Sequence, residues 1–158
     1  MTFTNISTDD AVKEFKKLSV DDQLAFLWYV YEGMGSSITP AAPGAASDDI
    51  ASGLFKQVKE KSHEEQLQIQ RDIAGKKDTQ ISREYGSLSE NTKLLFWYLL
   101  AQGMEKETII PMPEDYQIAE AGNSLLTAVK GMEYQEQITF LRNCVIEMGA
   151  SAAPGSSI

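Results

Sequence analysis

The sequence predicts an all-α fold made of two related halves. Three observations carry that reading. Apolar residues recur at helical spacing along most of the chain, serines stand at the heads of the periodic stretches as N-caps, and a unit of about 70 residues occurs twice. No segment alternates apolar and polar residues as a half-buried strand would.

The first helix is read from Asp9 to Leu18, where Ala11, Val12, Phe15 and Leu18 share a face. Ser19, with Asp22 three residues on, caps a second helix over 20–34, and Gly35 offers its stop. Pro40 and Pro43 bracket an Ala- and Gly-rich loop, Thr39 to Ala46. Ser47 then caps a third helix, with Asp48 and Asp49 suited to its positive N-terminal end. Ser62-His63-Glu64-Glu65 is a capping-box pattern that opens a fourth helix ending near Ala74-Gly75. After a polar turn, a short helix is expected from Thr79 to Tyr85. Ser89 caps a strongly apolar helix, Asn91 to Met104, and Pro111 and Pro113 mark a second loop. The last two helices are expected over Ile118–Val129 and Tyr134–Met148, followed by a small, polar, loose tail from residue 151.

The repeat pairs Leu18, Ser19, Leu24 and Phe26 with Leu88, Ser89, Leu94 and Phe96 without a gap, and the register holds to Gly33-Met34 against Gly103-Met104. Each copy then enters a two-proline loop. With one residue of slippage, Leu54, Val58, Lys59, Glu65, Gln66 and Arg71 match Leu125, Val129, Lys130, Glu136, Gln137 and Arg142. Pseudo-repeats of about 9–80 and 81–150 are too few for a solenoid, so a closed pair of helical halves in one domain is expected. A cavity between related halves is a natural ligand site.

Composition narrows the function. The 158 residues carry a formal charge of −9, which argues against affinity for nucleic acid or anionic lipid. No apolar run is long enough to span a membrane and no secretory signal is visible at Met1, so a cytoplasmic protein is expected. One cysteine, Cys144, and one histidine, His63, exclude multi-cysteine and multi-histidine metal sites. His63 falls within the capping-box pattern, where it reads as exposed, and Cys144 reads as a small core residue. No spacing ties them into a nucleophile–base pair, and no phosphate-binding glycine pattern exists. An enzyme is therefore not expected.

Two helices stand out instead. In the first, Leu24, Leu27, Trp28, Tyr31 and Met34 form one apolar stripe, while Phe26, Tyr29 and Val30 form another, which predicts burial on all sides. In the second, Leu94 to Ala101 contains no charge. Core packing alone explains a bare stripe. Yet Trp28, Tyr31, Trp97 and Tyr98 are large amphipathic rings, more than two core helices need, and Met34, Met104 and Met112 cluster at helix-to-loop junctions where an adaptable side chain suits an irregular ligand.

These residues carry a resemblance. Asp22-Gln23-Leu24, Trp28, Tyr31, Ala41-Ala42-Pro43-Gly44-Ala45-Ala46-Ser47, Leu94, Phe96-Trp97-Tyr98, Pro111, Pro113, Tyr116-Gln117, Gln137-Ile138-Thr139, Leu141-Arg142-Asn143 and Met148-Gly149 resemble the N-terminal domain of the cyanobacterial orange carotenoid protein, over roughly residues 10 to 150. The small-residue proline loop and the Phe-Trp-Tyr triplet are its specific features. The sequence stops at Ile158, where the larger photoreceptor continues into a mixed α/β domain, so the resemblance is to the helical carotenoid proteins, stand-alone paralogues of that N-terminal domain. Light-driven switching by this chain alone is not expected.

The resemblance implies two interleaved four-helix bundles holding a ketocarotenoid: canthaxanthin first, with echinenone or 3'-hydroxyechinenone as alternatives. It implies photoprotection, most directly as a singlet-oxygen quencher. Direct quenching of phycobilisome excitation at the thylakoid surface, or carriage of pigment to a separate C-terminal-domain-like carrier, are variants. Chloride binding, known in the family, has no motif that locates it here. The family's carotenoid-lining positions fall on Leu24, Leu27, Trp28, Tyr31, Gly44, Asn91, Leu94, Trp97, Tyr98, Met104, Met112, Pro113, Tyr116, Ile138 and Val145, with Met34 added from the methionine cluster. Gln70 replaces a family methionine. Arg142 matches the arginine that binds the family's partners, and it should be free in this chain.

A compact chain of this length has a radius of gyration of about 15 Å, so a polyene rod of roughly 30 Å can lie almost wholly inside. The reading from another class is a pigment-free helical module that binds proteins. Colour separates the two.

Overall fold

Eight helices lie in the described part of the chain, residues 6–34 and 48–150 of a computed structural model. They are α1 (Thr8–Lys16), α2 (Val20–Met34), α3 (Asp48–Lys59), α4 (His63–Ala74), α5 (Gln80–Gly86), α6 (Glu90–Glu105), α7 (Glu120–Lys130) and α8 (Tyr134–Val145). No strand occurs among the described residues. Met1–Asn5, the Pro40/Pro43 loop with Gly44 and the Ser47 cap, and the tail from residue 151 lie outside them.

The helix starts follow from the caps. Ser7, Ser19, Ser62, Thr79 and Ser89 each accept a hydrogen bond from the backbone N–H three residues on. Each cap satisfies a donor the helix cannot, worth about 1 kcal/mol. At α4 the Glu65 carboxylate also accepts from the Ser62 N–H, completing the expected capping box. Glutamines then tie the preceding turns. Gln23 donates to the carbonyls of Lys16 and Leu18, Gln66 to those of Lys59 and Lys61, and Gln137 to those of Lys130 and Met132.

Three helix boundaries are shorter than the periodicity predicts. The chain leaves α1 at Lys16, because the Leu18 N–H turns back to the Phe15 carbonyl. Ile118 precedes α7 rather than opening it, since the next residue, Ala119, is extended at φ −61° and ψ 156°. The last helix stops at Val145 instead of Met148. There the Tyr85 hydroxyl donates to the Val145 carbonyl and the Lys93 ammonium to that of Ile146, so side chains from another bundle satisfy carbonyls the helix leaves open. The chain then reverses at Gly149, whose φ of +85° favours glycine, and a Cβ there would lie 2.6 Å from the Tyr85 ring.

The helices exchange partners between the halves. α1 packs on α8 and α2 on α7, while α3 packs on α6 and α4 on α5. One bundle is thus α1, α2, α7 and α8, the other α3 to α6, and they meet where α2 crosses α4 and α6 crosses α8. Each bundle has an aromatic nucleus. Phe15, Phe26 and Phe140 stack edge-on or tilted, with centroids 5.6 to 6.2 Å apart. Tyr85, Phe96 and Trp97 do the same at 5.6 to 6.3 Å. Four of these six rings, Phe15, Phe26, Phe96 and Phe140, are buried phenylalanines, and each contributes about 1.5–3 kcal/mol of burial.

Candidate functional site

Helix α2 divides its apolar residues by role. Ala25, Phe26 and Val30 are buried in the core. The other stripe, Leu24, Leu27, Trp28 and Tyr31, is only half buried, because it faces empty volume rather than another helix. The expectation that this helix is buried on every side is corrected accordingly. On α6, Phe96 lies in the core, Leu94 and Trp97 are buried in the core yet reach the space, and half-buried Tyr98 and Met104 border it. Ile138 and Val145 of α8 close the wall opposite. The cavity volume is about 50 Å³, within about 600 Å³ of space that includes open solvent.

A second cavity of about 110 Å³, within about 560 Å³ of space that includes open solvent, lies beside it, between α2, α4 and the segment Ile110 to Tyr116. Met112, Pro113 and Tyr116 line this one. Both cavities are lined by Leu24, Gln70 and Met104, so these three side chains stand between them.

Hydrogen bonds hold the wall in place. The Trp97 indole N–H donates to the Tyr85 hydroxyl at 2.9 Å, which donates in turn to the Val145 carbonyl at 2.6 Å. This chain fixes the Trp97 plane through two elements, and burial pushes the Tyr85 phenol well above its usual range, so it stays neutral. Tyr31 meets Tyr98 at 6.0 Å, near perpendicular, and Trp28 lies 5.6 Å from Tyr31. Gln102 donates to the Tyr98 hydroxyl at 3.0 Å. Burial, then the Glu105 carboxylate, raise the Tyr31 pKa. In the second cavity the Tyr116 hydroxyl donates to Asp22 Oδ1 at 2.6 Å, while Oδ2 of the same carboxylate accepts from the Ala119 N–H at 3.2 Å. Asp22 thereby anchors the proline segment to α2. Burial and that carboxylate hold the Tyr116 phenol protonated.

Most predicted site residues are brought together here, two border neither cavity, and one lies outside the described residues. Met34 is 8% exposed and packs in the core one turn beyond Tyr31. Asn91 is half buried a turn before Leu94, at the start of α6, and borders neither cavity. Gly44 lies outside the described residues. Sequence reasoning missed Leu100, Ala101 and Leu141 on the first wall and Leu67 and Ile110 on the second. Leu141 and Ala101 were within reach, since they follow Ile138 by three residues and Trp97 by four. The role of Tyr85 had no local signal, for its acceptor is 60 residues away.

The two related arginines differ. Arg71 grips Asp21 with Nε to Oδ1 at 2.8 Å and Nη2 to Oδ2 at 3.2 Å. Arg142 is half buried, and its Nε is buried without a hydrogen-bond partner among the described residues. In the repeat the position of Asp21 is taken by neutral Asn91, so the second half lacks the carboxylate that holds the first arginine.

The groove offers shape and apolar surface, not reactive groups. Burial raises the Cys144 thiol well above its usual range and His63 is exposed at the head of α4. Among the described residues no group of three His, Cys, Asp or Glu could hold a metal ion, and no helix is long and apolar enough to cross a membrane.

Comparison with known proteins agrees with this geometry. Residues 2–151 match the family model described as "Orange carotenoid protein, N-terminal". An orange carotenoid-binding domain-containing protein of Nostoc sp. (strain PCC 7120) is 53% identical over 148 residues, covering 91% of this chain and 86% of that protein. The orange carotenoid-binding protein of Limnospira maxima is 41% identical over 87% of this chain, which spans only 44% of that longer relative. Among solved structures, a red carotenoid protein of Anabaena (Nostoc) sp. PCC 7120 binding canthaxanthin superposes with a TM-score of 0.82, at 49% identity over 91% of this chain and 99% of that one. The orange carotenoid protein of the same organism, also binding canthaxanthin, gives 0.84 at 42% identity, over 92% of this chain and 47% of that one. With eight helices among the described residues and an aromatic-lined cavity, this chain belongs to the family of the orange carotenoid protein N-terminal domain.

Proposed function

We propose that this chain binds a ketocarotenoid, canthaxanthin foremost, along the line of the two neighbouring cavities, and that the bound polyene protects by dissipating excitation energy, chiefly from singlet oxygen. The observation that carries this reading is the apolar cavity bordered by Trp28, Tyr31, Trp97 and Tyr98, with a second cavity beside it that shares Leu24, Gln70 and Met104. A long conjugated hydrocarbon needs little polar recognition. Burying on the order of 500 Å² of its surface contributes ~10 kcal/mol before ordering costs. The chemistry is physical, for the polyene accepts excitation and releases heat, and no residue acts as acid, base or nucleophile.

Purification from a carotenoid-producing host tests the proposal. The protein should be orange to red and should quench singlet oxygen faster than its pigment-free form. A colourless preparation that yields no pigment to acetone would favour the pigment-free interaction module. Aromatic faces packed on the chain restrict its twist and extend conjugation, so Trp28→Ala and Trp97→Ala should each shift absorption to the blue. Unchanged spectra in both would refute that role for the rings.

Arg142 favours a second reading, contact with the phycobilisome or a carotenoid carrier, because its guanidinium has no carboxylate partner among the described residues. Antenna fluorescence should fall on adding pigmented protein, and Arg142→Glu should abolish the effect. No loss of fluorescence with the unaltered protein removes direct antenna quenching.

A further inference from the structure

A strap of chain closes the second cavity on its outer side. Residues 110–116 are not helical, and Pro111 and Pro113 are exposed while they also line the cavity, so a single layer of chain separates it from solvent. Both ends of the strap are clamped. At its start Gln66 donates to the Thr108 carbonyl and accepts from the Ile110 N–H, and Ile109 packs so closely on Gly103 that a Cβ there would come within 2.5 Å of it. Beyond its end Asp22 Oδ2 accepts from the Ala119 N–H, and a Cβ on Gly122 would lie 2.8 Å from the Ile118 side chain. Between the clamps the two prolines have no N–H to give. The Tyr116 hydroxyl ties this stretch to α2, donating to Asp22 Oδ1 at 2.6 Å. An apolar cavity of about 150 Å³ takes one benzene. At about 110 Å³ the second cavity takes the methylated terminal ring of a carotenoid only when a wall gives way. Helices α2 and α4 pack on each other, whereas the strap is held by its ends and by Tyr116.

Resting on the carotenoid-binding reading, we infer that residues 110–116 are a latched entry strap: the terminal ring of the pigment passes into the second cavity when the strap swings outward between its clamps, and the Tyr116–Asp22 hydrogen bond is the latch that sets how often it opens. When the latch breaks, Asp22 keeps the Ala119 N–H, so opening does not strand its buried carboxylate. A hydrogen bond to a charged group corresponds to about tenfold or more in such an equilibrium.

The test begins with a readout that needs no pigment. In pigment-free protein carrying Ala25→Cys, the introduced thiol lines the second cavity, and dithiobis(nitrobenzoate) labels it as the strap opens, while buried Cys144 is labelled on unfolding. Adding Tyr116→Phe should speed labelling of the introduced thiol about tenfold and change that of Cys144 far less. Without Ala25→Cys, Tyr116→Phe should speed uptake of canthaxanthin from phosphatidylcholine vesicles by a similar factor, under conditions where the rate varies with protein concentration. Asp22→Asn should act in the same direction on both rates. Unchanged labelling overturns the latch, and so does equal acceleration of both thiols, which marks a loss of global stability instead. Faster labelling with unchanged uptake overturns the strap as the entry route while leaving pigment binding intact. No uptake by any form overturns the carotenoid reading itself, and the entry role with it.

Discussion

Tyr85 illustrates how much one side chain decides. Its ring completes an aromatic nucleus, its hydroxyl holds the Trp97 indole, and the same hydroxyl takes a carbonyl at the end of α8. Tyr85→Phe preserves the ring and strips both hydrogen bonds, leaving a buried indole N–H and a carbonyl unpaired. It should lower unfolding stability by about 1–3 kcal/mol in denaturant titrations, with the bound pigment's spectrum broadening as the Trp97 plane loosens. A stability unchanged within error would mean that water takes the place of the hydroxyl. Lys93 works on the same carbonyl cluster. Its ammonium donates to the Ile146 carbonyl and lies 5.6 Å from the Tyr85 ring centroid, while burial lowers its pKa. In sequence, the matching residue of the first half, Gln23, serves the preceding turn instead. The repeat keeps the position and changes the task.

At the scale of elements, helix ends carry the local information and respond to acid. The Ser62 backbone N–H and hydroxyl hold the Glu65 carboxyl below its ordinary 4.5, and Lys16 holds that of Glu147 low. With both folded pKa values depressed, the unfolded chain binds more protons near and below pH 4.5, so their stabilisation is present above that pH and lost as pH falls through the folded values. Melting temperature followed from neutral pH into this acid range should drop, and Glu65→Gln should make the drop shallower. An identical acid profile in that variant would remove the capping box from the acid response. The same residues explain why the elements were legible in advance: Ser7, Ser19, Ser62, Thr79 and Ser89 act within three residues of themselves, a range that sequence spacing states directly. Where α8 ends was not legible, because Tyr85 and Lys93 reach it from distant parts of the chain.

Over the whole molecule, exchange of helices between the halves places α2 and α6 at the seam of two bundles, and there their second apolar faces border a groove instead of filling a core. A ligand that occupies this groove binds only the folded chain, so saturating canthaxanthin should raise the unfolding midpoint, by about 2.7 kcal/mol of added stability at a hundredfold excess over Kd. An equal midpoint for pigmented and pigment-free protein would mean that the pigment does not bind the folded chain in preference to the unfolded one. The sequence by itself determined the all-helical class, the caps, the repeat and the aromatic residues of α2 and α6, since each depends on neighbours a turn or two away or on self-similarity along the chain. Only the tertiary structure decided that Phe26 and Phe96 are core while Trp28, Tyr31 and Tyr98 are half buried beside open space, that Trp97 serves both the core and the cavity wall, and that Met34 and Asn91 border neither of the two cavities. Helical periodicity reports which residues avoid water. Whether a side chain meets another side chain or a cavity depends on how far apart the bundles settle, and that distance is set by contacts between residues far apart along the chain.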